Sequence, residues 1–326
     1  MRQYRNRGIQ LFALAGVLLL GIPAVVGACA SDDAARACRI GADCASGACS
    51  AEGQCIGDGT ADGGPDGGPG IDSSTSADGD TPDGGGDGAL PGCTANKDGT
   101  ITRDEVPVAA GLHATYRVGK DEDVSTAGTP AANGKRVWDF TAALASDVSV
   151  LVETQALAGK WYATKFAGAT YASKLTEGSD LLGVFETSPG ALLLRGVVSP
   201  TETSKTELTN TPAVSVLKFP LTMGAQWTTD TAVSGTAQGV ALFGTYTEKY
   251  TSEVDAAGEL KTPLGTFEVL RVRVQLIRQI GILPAVTIRS FAFVTECYGT
   301  VATVRSADNE ANAEFTRAAE IRRIAP

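Results

Sequence analysis

Beyond about residue 106 the chain alternates apolar and polar positions with a period of two, the repeat of a strand whose two faces meet different surroundings. Val148, Val150 and Val152 alternate with Asp147, Ser149 and Glu153. Leu270, Val272, Val274 and Leu276 alternate with Arg271, Arg273 and Gln275 in the same way, which predicts a half-buried strand. Phe267 and Val269 lie on the opposite parity, so a bulge is expected near Val269–Leu270. Further strands are expected over residues 112–118, 136–141, 160–166, 181–187, 191–198, 214–219, 239–250, 286–296 and 299–305. Turn signals fall at Ala132-Asn133-Gly134, Ser188-Pro189-Gly190, Asp255-Ala256-Ala257-Gly258 and Thr262-Pro263-Leu264-Gly265. The C-terminal ANAEFTRAAEIRRIAP is expected to form a closing strand rather than a short helix. The pattern predicts a mainly β protein with one large antiparallel domain, a sandwich or a strongly curved half-barrel. A membrane-spanning barrel would need outward apolar faces and aromatic girdles, and 6% aromatic residues argue against one.

The start of the chain has a different pattern. Arg2, Arg5 and Arg7 precede an apolar run from Ile9 to Val26, and small residues follow up to Cys29. That is the layout of a secretory signal. The run Val26-Gly27-Ala28-Cys29 resembles the lipobox of bacterial lipoproteins. The resemblance implies cleavage before Cys29, a lipid on its thiol and an acyl group on its new amino terminus. Multiple acyl chains give durable membrane attachment where one gives marginal binding. The competing reading is an uncleaved transmembrane helix, which Pro23, Gly27 and Ala28 disfavour.

Cysteine usage fits export. Once Cys29 carries lipid, six remain: Cys38, Cys44, Cys49, Cys55, Cys93 and Cys297. An even number in an oxidising compartment suggests disulfides. The first four form a C-x5-C-x4-C-x5-C cluster too short to bury a core, so cross-links must hold it. Zinc sites usually begin with a tighter cysteine pair. Pairing inside the cluster leaves Cys93 and Cys297 as natural partners. Between the cluster and Cys93 lies a stretch, residues 56–92, made almost wholly of Gly, Asp, Pro, Ser, Thr and Ala. It is expected to be a disordered linker with a reach of about 35 Å. A charge of −10, moving to −13 once the three arginines of the signal are removed, argues against a nucleic-acid partner. It also leaves membrane contact to the lipid anchor.

The segment from Thr94 to Glu105 resembles an EF-hand calcium loop. Thr94, Asn96, Asp98, Thr100, Thr102 and Glu105 stand at ligand positions, Gly99 at the sharp turn and Ile101 beneath it. The resemblance implies weak calcium binding, because Thr94 replaces the usual first aspartate. Pro107 also interrupts the expected exit helix. The default reading of the same residues is an Asn/Asp-Gly turn followed by a Thr102-x-x-Glu105 capping box.

No enzyme class is supported. The sole histidine, His113, falls on the first expected strand, and no nucleophile elbow or phosphate loop is present. Glu153, Glu186 and Glu248 are carboxylates that a glycoside hydrolase would need paired across a cleft. Trp138, Trp227 and Phe267 read as core anchors beside turns.

The chain therefore divides into a signal peptide (1–28), a lipidated tether (29–37), a disulfide-rich knot (38–55), a linker (56–92), an EF-hand-like loop (93–106) and a β-rich domain (107–326). This arrangement resembles secreted lipoproteins of the myxobacterial type. The resemblance implies attachment at the outer membrane or cell surface, and an envelope or extracellular ligand of unstated chemistry. The phrases around Trp138, Trp227 and Phe267 resemble lipoprotein carriers only loosely. The expected function is a non-enzymatic binding or structural module. A carrier of an apolar ligand stands second, and a carbohydrate hydrolase third.

Overall fold

The computed structural model describes residues 93–242 and 244–326. The expected signal peptide, Cys29, the knot at 38–55 and the linker at 56–92 lie outside the described residues. Within them the chain is mainly β. Its strands are β1 (Thr100–Ile101), β2 (His113–Asp123), β3 (Thr129–Pro130), β4 (Arg136–Asp139), β5 (Val148–Glu153) and β6 (Tyr171–Lys174). Next come β7 (Leu182–Ser188), β8 (Ala191–Val198), β9 (Glu207–Lys218), β10 (Leu221–Thr222), β11 (Gln226–Ala237) and β12 (Val240–Ala241). The last five are β13 (Tyr246–Lys261), β14 (Thr266–Gln279), β15 (Val286–Thr295), β16 (Gly299–Arg305) and β17 (Arg317–Ile324).

Fifteen of them form one sheet, twelve along the path β5-β2-β17-β16-β15-β14-β13-β11-β9-β8-β7-β6, with β12 on β11 and the β3–β4 pair on β13 beside it. Every neighbouring pair along that path is antiparallel. The C-terminal segment is the expected strand, and it inserts between β16 and β2. The two ends of the path approach each other. Gln155, just past β5, and Ala172 of β6 exchange backbone hydrogen bonds of 2.7 and 2.9 Å. That single bridge makes the sheet a nearly closed half-barrel rather than a two-sheet sandwich.

Strand β13 is the backbone of this architecture. One of its edges pairs with β14 over the full strand. The other edge is shared: its first half pairs with β11, and Gly258–Lys261 pair in parallel with β4. The register slips between Val254 and Ala256, so Asp255 is the extra residue. The bulge expected in β14 therefore lies in its partner. Opposite parities coexist in β14 because both of its faces are buried. Val269 joins one apolar cluster, with Trp138 and Phe293, while Leu270 and Val272 join another, with Trp227 and Val254.

Three expectations are corrected here. Asp255–Gly258 is strand, not turn: its small residues let β4 approach, and a Cβ at Gly258 would run into the Arg136 carbonyl. Residues 160–166 are not a strand but a loop with a 3-10 turn at Ala163–Lys165. Tyr162 and Phe166 from that loop cap a third cluster with Val184 and Val198. The segment 239–250 breaks into the short β12 and the start of β13. The turns at 132–134, 188–190 and 262–265 lie between strands as their Gly and Pro residues indicate.

The clusters hold the sheet together. Trp138 and Phe140 each meet Phe293 edge-to-face, at centroid distances of 5.1 and 5.5 Å. Fully burying a large apolar side chain such as Phe293 contributes about 1.5–3 kcal/mol. Trp138 and Trp227 are buried anchors, and Phe267 packs at the margin against Tyr298.

Candidate functional site

The EF-hand-like loop enters the domain through a disulfide. Cys93 and Cys297 are bonded, with their Cα atoms 5.5 Å apart and 204 positions apart in sequence. Cys297 sits in the turn between β15 and β16 with a positive φ of 67°. Two further links dock the loop on that turn. The Lys97 N–H donates to both Glu296 carboxylate oxygens at 3.1 and 3.0 Å, and the Cys297 N–H donates to the Glu105 carbonyl at 2.7 Å. Short strand pairing of β1 with β10 completes the seat, and Ile101 is buried beneath. The loop is thus ordered without an EF-hand's two helices.

Its side chains satisfy one another. Asn96 Oδ1 accepts from the Asp98 N–H, and Asp98 Oδ1 from the Thr100 N–H, at 2.9 and 2.7 Å. Glu105 Oε1 accepts from the Asn96 amide at 2.8 Å. Glu105 Oε2 accepts from both the N–H and the hydroxyl of Thr102, each at 2.8 Å. These bonds build the turn and the Glu105 arm of a capping box. Thr94 is exposed, and Thr100 stands opposite Thr222 in the β1–β10 pairing. Asn96, Asp98 and Glu105 are the residues that could hold a hard cation. A calcium ion would have to replace the amide and hydroxyl donors now on Glu105.

The carboxylates that a hydrolase would need lie on three different strands. Glu186 on β7 is paired with Arg195. Glu248 on β13 is buried, with Oε1 taking a bond from Arg278 Nε at 2.7 Å and Oε2 one from the Tyr250 hydroxyl at 2.7 Å. Burial, reinforced by the Glu248 charge, pushes the Tyr250 phenol well above its ordinary range and Tyr246 up to about 12. Glu153 sits opposite His113 across the β5–β2 pair, beside a hollow of about 330 Å³. A second hollow, of about 240 Å³, is lined by Glu253, Arg273, Gln275 and Arg289. Among the described residues no group of three His, Cys, Asp or Glu side chains converges to hold a metal.

The strongest polar constellation is centred on Arg271. Arg271 was expected on a solvent face, yet only 3% of its side chain is exposed. It binds Asp255 in the bulge through two bonds of 2.9 and 2.8 Å, and Glu314 through bonds of 2.6 and 3.2 Å. It also donates to the Thr126 carbonyl at 2.6 Å and lies 4.3 Å from the Phe291 ring centroid. The segment from Thr126 to Phe140 and the Glu314–Phe315 turn cover this face. Nothing in the local sequence announces that cover. Glu296 was missed as well, although its place beside Cys297 was the available signal.

No family model matches the chain, and no curated protein or solved structure is significantly similar to it.

Proposed function

We propose that this chain is a cell-envelope lipoprotein whose β domain acts without catalysis, as a displayed binding or structural module. The observation that carries this reading is how the curved sheet is occupied. Both faces of its central strands are covered by apolar clusters built from Trp138, Phe291, Phe293, Trp227, Leu270 and Val272. A carrier of an apolar ligand needs a concave apolar pocket, usually of about 300–1,000 Å³. The hollow of about 240 Å³ is bordered by Glu253, Arg273, Gln275 and Arg289, and that of about 330 Å³ mixes Ala110, Leu112 and Ala156 with His113, Glu153, Thr154 and Gln155. Glu186 and Glu248 are each committed to an arginine, which supports a structural use rather than acid–base chemistry.

The layout supports display. The segment arriving from the amino terminus is stapled at Cys93 to the turn that follows β15. The hairpin between β14 and β15 lies at the other end of those strands, about 30 Å away by strand rise. Among the described residues no helix is long and apolar enough to cross a membrane; attachment through an acylated Cys29 rests on the lipobox-like run Val26-Gly27-Ala28-Cys29. The test is organic extraction of the protein purified from its native envelope without denaturation. The module reading expects no lipid beyond that covalently held at the amino terminus. A stoichiometric, non-covalent lipid would establish the carrier instead.

A further inference from the structure

We propose that the smaller hollow, on β13, β14 and β15, is a binding site for one ring of a neutral saccharide. The proposal rests on the binding-module reading above and names that module's ligand class. The strand register builds the site. Thr251, Gln275 and Arg289 stand opposite one another across the three strands, and Glu253 stands opposite Arg273 two residues along. By the two-residue repeat these five side chains share the face that carries Arg271 and Phe291. The segment between β16 and β17 covers part of this face and is fixed by Arg289, which donates to the Glu310 and Ala311 carbonyls at 2.9 and 3.4 Å. That segment contributes only the small, exposed Ala313 to the lining, and a hollow of about 240 Å³ remains.

Its polar atoms are positioned but not all used. Arg273 Nη2 is bonded to Glu253 Oε2, and Gln275 Oε1 accepts from Arg289 Nη1 at 3.3 Å. Thr251 Oγ1, Glu253 Oε1, Arg273 Nη1 and Gln275 Nε2 have no hydrogen-bond partner among the described residues. The free set thus offers two N–H donors, a carboxylate acceptor and a hydroxyl that can do either. Charge decides the ligand class. The arginines Arg271, Arg273 and Arg289 are matched in number by Asp255, Glu253 and Glu314 beside them. An anion would compete with Glu253 for Arg273, and a cation would compete with Arg273 for Glu253. An apolar ligand would cover the four free atoms without satisfying them, which is costly. A neutral ligand that both gives and takes hydrogen bonds avoids all three losses. Hydroxyl groups do both at one atom, and a sugar ring holds several of them on a rigid frame that loses little freedom on binding. Adjacent hydroxyls can accept from Arg273 and Gln275 while donating to Glu253. The volume lies below the range of about 300–1,000 Å³ for drug-sized ligands, so one ring enters. Among the lining residues Glu253 is the only carboxylate, so the pair that glycoside hydrolysis needs is not at this site.

Saturation-transfer NMR on the full mature chain, in a detergent without a sugar head group, tests the site. The probes are glucose, galactose, mannose and N-acetylglucosamine, with glucuronic and galacturonic acids as charged counterparts. Because the Phe291 ring is buried and cannot stack on a sugar, binding should be weak, at about millimolar concentrations. At least one neutral sugar should bind saturably, and neither acid more tightly than its neutral parent. Thr251→Val, which keeps the shape and removes a hydroxyl, should weaken that binding about three- to tenfold. Ala313→Trp, at an exposed position on the hollow, should abolish it with an unchanged urea midpoint; if the midpoint falls, Thr251→Val decides alone. No saturable binding up to about 100 mM overturns the proposal. So does tighter binding of a uronic acid, or binding that Thr251→Val leaves unchanged. Hydrolysis of bound lactose or cellobiose would instead overturn the non-catalytic reading and leave the saccharide site standing.

Discussion

Arg271 ties the Asp255 bulge to Glu314 and to the Thr126 carbonyl, and its removal has a calculable cost. Arg271→Met keeps the aliphatic stem but takes away five hydrogen bonds, four to carboxylates and one to the Thr126 carbonyl. Breaking a buried ion pair by deleting one partner costs about 3–5 kcal/mol, because the other charge stays buried. Asp255 is only 9% exposed and cannot rehydrate, whereas Glu314 is 38% exposed and can. Arg273 Nε also lies 3.7 Å from Asp255 and softens the loss. The expected destabilisation is therefore at the lower end, about 3 kcal/mol. Urea unfolding followed by tryptophan fluorescence would measure it, since Trp138 lies 5.5 Å from the guanidinium. Adding Asp255→Asn should return about 1 kcal/mol or more, as neighbours in one network are coupled. A loss below about 1 kcal/mol, or strictly additive losses, would refute the claim that the buried charge of Asp255 sets the cost.

Replacing Cys93 and Cys297 together by alanine should lower stability by several kcal/mol. Closing a loop with a separation of 204 gives about 5 kcal/mol in the chain-entropy model, and native disulfides are worth about 2–5. An unchanged urea midpoint would contradict the staple. Calcium should protect residues 94–105 from proteolysis only at about sub-millimolar or higher concentrations, and Glu105→Gln should abolish the effect. Tight binding below about a micromolar would contradict the weak site. High pH should unfold the domain through its buried phenols. Burial, partly opposed by Arg322, raises Tyr116 to about 12 from an ordinary 10.0, so the stability it contributes is complete below pH 10.0 and is lost as the pH rises through about 12. Tyrosinate absorbance should rise together with the loss of circular dichroism; phenols that all titrate near pH 10.0 in the intact fold would contradict it.

The legible parts of this fold were strands with a regular alternation or a continuous apolar run. Strands β5, β7, β8, β15 and β16 alternate cleanly or are continuously apolar, and their turns carry Gly or Pro. Strand β11 escaped notice because its inward positions after Trp227 are Thr229 and Thr231, which a hydrophobic pattern scores as polar although both are buried. Pro212 likewise hid the first half of β9. Arg271 was misplaced for the converse reason: a charged side chain signals solvent unless the segment that covers it is known. The loop at 94–105 was legible as a turn from its Asn, Asp and Gly spacing. Its partner Glu296 was not, because that contact depends on the disulfide bringing two distant segments together.

The proposed function places this β domain at a membrane, held there through Cys29. Intact and peptide mass spectrometry of the protein extracted from its native envelope tests it directly. A lipid-anchored chain yields an amino-terminal peptide that begins at Cys29 and carries acyl chains. A peptide that begins upstream of residue 29, or one with an unmodified Cys29, would contradict it.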